Sequence, residues 1–163
     1  MKEDYSLDAV KEIFTQYLAE KKYRKTPERF AILERIYSHE GHFNAELLYN
    51  DMQKDYRVSL ATVYNTLELL LDCLLIVKHQ FGDQIAQYEK TFGTLIHHHL
   101  VCTRCGKVKE FSDKKIRESI QNKTFAHFEP THYSLYIYGL CGKCKEELEK
   151  EKKQNQNKNL KSK

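Results

Sequence analysis

His97-His98-His99-Leu100-Val101-Cys102-Thr103-Arg104-Cys105 gathers three imidazoles and two thiols into one short stretch, and Cys141-Gly142-Lys143-Cys144 answers it downstream. In a CxxC turn the backbone N–H groups aim at the sulfurs, so two thiolates reach one ion. Two such turns build the closed tetrahedral four-sulfur cage of a structural site. Cys102, Cys105, Cys141 and Cys144 are therefore read as ligands of a structural Zn2+. Residues 106 to 140 separate the two turns, a longer spacer than a compact zinc ribbon uses, so the ion is expected to staple the ends of a small domain. Two disulfides or four buried thiols are the alternative, and the paired spacing disfavours it. The staple bears on the fold: 163 residues hold one ordinary domain or two small ones, and a small domain buries little by itself.

Upstream of the first thiol the chain reads as a strand, with a second over Lys107 to Phe111. Alternate strand residues share a face, so His97 and His99 point together and His98 points away. Glu110, across the Cys102–Cys105 turn, reaches the same face. Two imidazoles and a carboxylate suit Fe(II), Mn(II), Co(II) or Zn(II). Asp113 caps a helix expected to run to about Ala126, and Thr131 to Leu140 alternates as a third strand. The aromatic load of that strand suggests that its sheet continues, or packs, across a dimer.

The first ninety residues have another character. Leu7, Val10, Phe14, Tyr17 and Leu18 share one helical face. The basic cluster Lys21, Lys22, Arg24 and Lys25 follows, and then Thr26 caps a second helix with Pro27 at its first position. Asn44 caps a short helix (Ala45 to Asp55), and Ser59 caps a fourth through Leu71. The start of that helix offers Thr62, Tyr64, Asn65 and Thr66, and its end is apolar. Two alternating runs, Leu74 to Phe81 and Gln84 to Glu89, joined by Gly82-Asp83, read as a hairpin. Small helices followed by a two-stranded wing describe a winged helix-turn-helix, whose later helix enters the DNA major groove by its N-terminal residues. Tyr64 offers a ring to a thymine methyl and Asn65 a donor–acceptor pair to adenine. Thr62 lies beside them, and Arg57 with Lys21, Lys22, Arg24 and Lys25 meets phosphates.

The expected fold class is α+β: a winged helix-turn-helix over 1–90, a linker over 91–95, and a small α/β dimerisation and metal-binding domain over 96–148. The last has a three-stranded antiparallel sheet. Residues 149–163, rich in Lys, Asn and Gln, are expected to be disordered. They carry six Lys and two Glu, the whole of the net charge of +4, leaving 21 basic against 21 acidic residues elsewhere. Any nucleic-acid footprint is then a local patch. Residues 1 to 12 lack the apolar core of a signal peptide and no run approaches a membrane span, so a cytoplasmic chain with reduced thiols is expected.

Taken as a set, Thr26-Pro27-Glu28-Arg29, His42 before Asn44-Ala45-Glu46, Ala61-Thr62-Val63-Tyr64, His97-His98-His99-Leu100-Val101-Cys102, Cys105-Gly106-Lys107 and Ser134-Leu135-Tyr136-Ile137-Tyr138-Gly139 resemble the ferric uptake regulator (Fur) family of bacterial metal-dependent repressors. The resemblance covers about residues 10 to 148. It implies a homodimer, or a tetramer built from it, that binds palindromic operator double-stranded DNA and no membrane. Its regulatory metal would be held by His42, Glu89, His97, His99 and Glu110. It implies Fe2+ there in the cell, with Mn2+, Co2+ or Zn2+ able to substitute in vitro. A further site of many members would fall on Ile96, His98, Arg117 and Tyr133. Isoleucine and arginine cannot serve as ligands, so that site is expected to be absent or reorganised. Peroxide sensors of the family carry aspartates where this chain has Glu89 and Glu110, which favours iron sensing. Asn65 resembles the peroxide-sensor pattern, which keeps peroxide sensing as the alternative. A zinc-dependent hydrolase on His97, His99 and Glu110 is disfavoured: no HExxH motif supplies a general base, and Glu110 stands where a ligand is wanted. Cys73 is read as a buried thiol, and His39 and His79 as surface or hydrogen-bonding residues.

Overall fold

The computed structural model describes residues 6–80, 85–93 and 96–161, with side chains through Lys153. The chain divides into two compact units, Met1–Leu95 and Ile96–Lys163.

In the first unit α1 (Leu7–Glu20), α2 (Pro27–Ser38), α3 (Ala45–Met52) and α4 (Leu60–Asp72) precede β1 (Ile76–His79) and β2 (Gln87–Lys90). Each helix contributes one stripe to a common core: Val10, Phe14 and Leu18 from α1, Ile32, Leu33 and Ile36 from α2, Leu48 and Met52 from α3, Val63, Leu67 and Leu70 from α4. Phe14 meets Phe30 edge-on, ring centroids 5.6 Å apart. The i, i+3, i+4, i+7 spacing of these positions makes the stripes. Of the caps expected in this unit, Asn44 and Ser59 accept from Leu47 and Thr62 N–H, and Ser6 caps α1 in the same way by accepting from Ala9 N–H. Thr26 holds the N-cap position of α2, but its side chain makes no cap hydrogen bond. Thr66 is fully buried, its hydroxyl donating to the Thr62 carbonyl at 2.7 Å. It belongs to the inward stripe of α4 and not to the exposed polar start.

β1 and β2 pair antiparallel, with Val77 opposite Glu89 and His79 opposite Gln87. The expected tip of the hairpin, Gly82-Asp83, lies outside the described residues, as do residues 94 and 95 of the expected linker. The segment before α3 adds to the wing, since Phe43 and Tyr88 exchange both backbone hydrogen bonds, at 3.0 and 2.7 Å.

The second unit contains β3 (His98–Cys102), β4 (Val108–Phe111), α5 (Lys114–Gln121), β5 (Tyr136–Gly139) and α6 (Gly142–Lys161). Its sheet has the order β4-β3-β5. β4 is antiparallel to β3, but β5 is parallel to it. The expected all-antiparallel sheet is therefore corrected to a mixed one. β4 brings the chain back to the starting end of β3, and residues 112–135, which carry α5, take it across to the other side, so that β5 runs beside β3 in the same direction. α5 stops at Gln121, short of Ala126. α6 continues to Lys161, so residues 149–161 are helical where disorder is expected. Its Glu, Lys, Gln and Asn residues include no proline or glycine after Gly142, and the helical register set at Cys144 meets no breaker.

Candidate metal centres and nucleic-acid interface

The four cysteines converge. One sulfur from each of Cys102, Cys105, Cys141 and Cys144 lies within 4.8 Å of all the others. Cys105 Sγ and Cys141 Sγ are 3.8 Å apart and both are free thiols. A tetrahedral cage with ~2.3 Å zinc–sulfur bonds has edges of about 3.8 Å, so the spacing fits the ion that the donor set selects. Two local devices build it. Between β3 and β4, Cys102 N–H donates to Lys107 O and Gly106 N–H to Cys102 O, both at 2.9 Å. Gly106 takes φ 71, the left-handed turn a glycine adopts without strain. Cys141 and Cys144 stand at the start of α6, where helix N–H groups favour a thiolate. Cys141 N–H donates to Cys102 Sγ at 3.3 Å. That donation and the N–H of Cys105 bring the Cys102 thiol down to about 6. Burial, and then the neighbouring sulfurs, push Cys144 up to about 12.

In the same unit the His97 and His99 rings lie 4.9 Å apart, and Glu110 is opposite His99 in the β3–β4 register. His99 is buried, and its ring stacks on Tyr136 at 5.5 Å. His98 faces the other way, packed between the rings of Phe111 and Tyr133 at 5.2 and 6.0 Å. The alternation read from the sequence holds.

In the first unit His42 Nε2 lies 3.4 Å from Glu89 Oε2. His79, read from the sequence as a surface or hydrogen-bonding residue, is a hydrogen-bonding one, and what the sequence reading missed is its partner. His79 is buried, at 3% exposure, with its Nε2 3.3 Å from that same oxygen. The signal was available: in a hairpin register with Glu89 opposite Val77, residue 79 falls on the carboxylate's face. The position of the turn had to be known to use it.

The nucleic-acid candidates all lie in the first unit. Lys21, Lys22, Arg24, Lys25 and Arg57 are exposed. Tyr64 and Asn65 are exposed on α4, and Thr62 is half-buried, its hydroxyl 2.8 Å from that of Ser59. The Tyr64 phenol is held, its hydroxyl donating to Glu46 Oε1 at 2.5 Å. Arg29, Arg57, Ser59, Thr62 and Asn65 line a cavity of about 440 Å³ at the start of α4. Arg29 is the addition here: its guanidinium reaches the Arg24 carbonyl and lies 5.9 Å over the Tyr23 ring. Among the described residues, no helix is long and apolar enough to cross a membrane.

A four-helix unit with a two-stranded wing, joined to a unit with a four-cysteine cluster and a strand-borne histidine pair, defines a metal-dependent DNA-binding regulator. The chain belongs to the Ferric uptake regulator family, which it matches over residues 20–138. It is 32% identical to the peroxide-responsive repressor PerR of Staphylococcus epidermidis over 76% of this chain and 83% of that protein. Among solved structures, the ferric uptake regulator of Pseudomonas aeruginosa with manganese is 29% identical, covers 78% of this chain and 97% of its own, and superposes with a TM-score of 0.65. The Helicobacter pylori ferric uptake regulator Fur shares the fold at 21% identity, covering 89% of this chain and 97% of its own, TM-score 0.66. The chain is thus a metal-responsive regulator of that family.

Proposed function

We propose that this chain is an iron-sensing cytoplasmic repressor in which one Fe2+ joins its two units. His42 and Glu89 supply ligands from the winged helix, and His97, His99 and Glu110 supply them from the sheet unit. Mn2+, Co2+ or Zn2+ would substitute in vitro, and Zn2+ fills the four-cysteine site. The carrying observation is that each unit presents only part of a ligand set. His42 and Glu89 approach to 3.4 Å in the first, and His97 and His99 to 4.9 Å between rings in the second. Neither pair by itself fills the coordination sphere of a hard-to-borderline divalent ion, and their donor types are complementary.

The ion's role is conformational. Without it, the winged helices of a homodimer sample many separations. With it, one orientation is favoured, in which the two α4 helices stand one DNA turn apart, ~34 Å, for a palindromic operator. Metal acts only through its differential affinity for that state, and about 5.5 kcal/mol carries a two-state equilibrium from 1:99 to 99:1. On the duplex, Tyr64, Asn65 and Thr62 read bases, while Lys21, Lys22, Arg24, Lys25 and Arg57 hold phosphates. A homodimer is supported by the apolar side chains left open on β5, with Ile137 at 45% and Tyr138 at 55% exposure.

Peroxide sensing is the second reading, favoured by the likeness to a peroxide-responsive repressor and by Asn65. Anaerobic fluorescence anisotropy on palindromic DNA tests both. Fe(II) should tighten binding, and His97→Ala should abolish that response. Release by equimolar hydrogen peroxide would favour peroxide sensing, and DNA binding indifferent to metal and to His97→Ala would refute both.

A further inference from the structure

Three chain segments lie side by side at the wing. Phe43 is bridged to Tyr88, and β2 is paired to β1 with Val77 opposite Glu89. Neighbours of a bridged pair point to the opposite face, so His42 and Glu89 share the face turned away from Phe43 and Tyr88. His79, two residues beyond Val77, takes the diagonal position on that face. The side chains follow the register. His42 Nε2 and His79 Nε2 lie 3.4 and 3.3 Å from Glu89 Oε2, with the two rings 5.2 Å apart and inclined at 77°. Glu89 therefore stands on the middle segment with one imidazole on each flank. Both His79 and Glu89 are buried, at 3% and 6% exposure. A carboxylate removed from water to this degree is costly unless hydrogen bonds hold it, and those bonds fix where its lone pairs point.

We propose that His79 is a positioning residue of the regulatory metal centre, its Nε2–H holding the Glu89 carboxylate from the β1 side so that Glu89 and His42 take the ion from the other. The inference rests on the reading of Glu89 as a ligand. Outer partners of this kind fix the rotamer and basicity of a ligand, and their loss typically weakens metal binding about 10–100-fold. An unoriented carboxylate on a two-stranded wing would have to be ordered by the ion itself. His79 does that ordering in advance.

The test uses the full-length, zinc-loaded protein, titrated with Co(II) against a competing chelator and followed by its d–d absorption. His79→Leu should lower Co(II) affinity about 10–100-fold while leaving the band positions and intensities as in the wild type, because the ligand set is unchanged. His79→Gln, which keeps an N–H donor at similar reach, should restore affinity to near the wild-type value. Unchanged affinity in His79→Leu would overturn the proposal, and so would a spectrum altered in coordination number, which would make His79 a ligand. A His79→Gln variant as weak as His79→Leu would assign the effect to packing and also overturn it. Glu89→Ala separates the two layers. If it leaves Co(II) binding intact, the reading of Glu89 fails and the inference with it. If it abolishes binding while His79→Leu does not weaken it, the inference alone fails.

Discussion

At residue scale the four sulfurs are unequal before any ion arrives. Backbone N–H groups from Cys141 and Cys105 hold Cys102 at about 6, well below an ordinary thiol, while burial keeps Cys144 protonated up to about 12. At about pH 7.5, above the Cys102 value, that sulfur enters the cage already as thiolate, and Cys144 must give up its proton to the solvent. Zinc binding to the reduced, metal-free protein should therefore release fewer than four protons per ion near pH 7.5. The number should rise toward four as the pH falls through about 6, where Cys102 becomes a thiol. Calorimetry in buffers of different ionisation enthalpy counts them, and four released at both pH values would contradict the assignment. Cys73 is the contrast. Burial pushes it up to about 11, and its Sγ donates to the Leu70 carbonyl at 3.6 Å, a half-buried thiol where the sequence reading expected a buried one.

At the scale of elements, caps and stripes predict different costs. Ser59 accepts the Thr62 N–H at 3.0 Å, so Ser59→Ala should destabilise the protein by about 1 kcal/mol in urea unfolding. Thr26→Ala should cost clearly less, since that side chain caps nothing. Equal losses would mean that the caps do not decide helix stability here. Leu67→Ala, in the fully buried stripe of α4, should cost about 2–5 kcal/mol. These elements were legible because their signals are local. Cap residues, proline at the start of α2 and the 3.6-residue spacing of apolar side chains all sit within one turn of what they determine. The strand alternation that separates His97 and His99 from His98 was equally local. What was not legible depends on distant pairing. The parallel direction of β5 is set by a partner some forty residues away, and His79 meets Glu89 only through the hairpin register. Thr66 looked polar in sequence but can be buried because its hydroxyl finds the Thr62 carbonyl inside the core, a partner composition does not reveal. α5 ends at Gln121, where Asn122 takes the C-cap and donates its N–H to the Glu118 carbonyl at 3.0 Å.

At the scale of the whole molecule, each unit has its own source of stability. The winged helix has an apolar core drawn from all four helices and the wing. Among the described residues the second unit has far fewer buried apolar side chains, with Val101, Cys102 and Cys144 as its buried members. A metal cross-link is what small domains of this kind use in place of a core. Cys141→Ser should therefore lose zinc and dissociate the dimer in sedimentation experiments. A dimeric variant with its zinc content intact would remove the four-cysteine site from the account.

The central claim is that one ion takes ligands from both units. Co(II) titration of zinc-loaded full-length protein, carried out on wild type, His42→Ala and His97→Ala, tests it most directly. The account predicts one regulatory Co(II) per chain whose spectrum and affinity are changed by either substitution, although the two residues lie in different units. If His97→Ala abolished the signal while His42→Ala left spectrum and affinity at wild-type values, the ion would belong to the sheet unit alone, and it could not set the position of the winged helices.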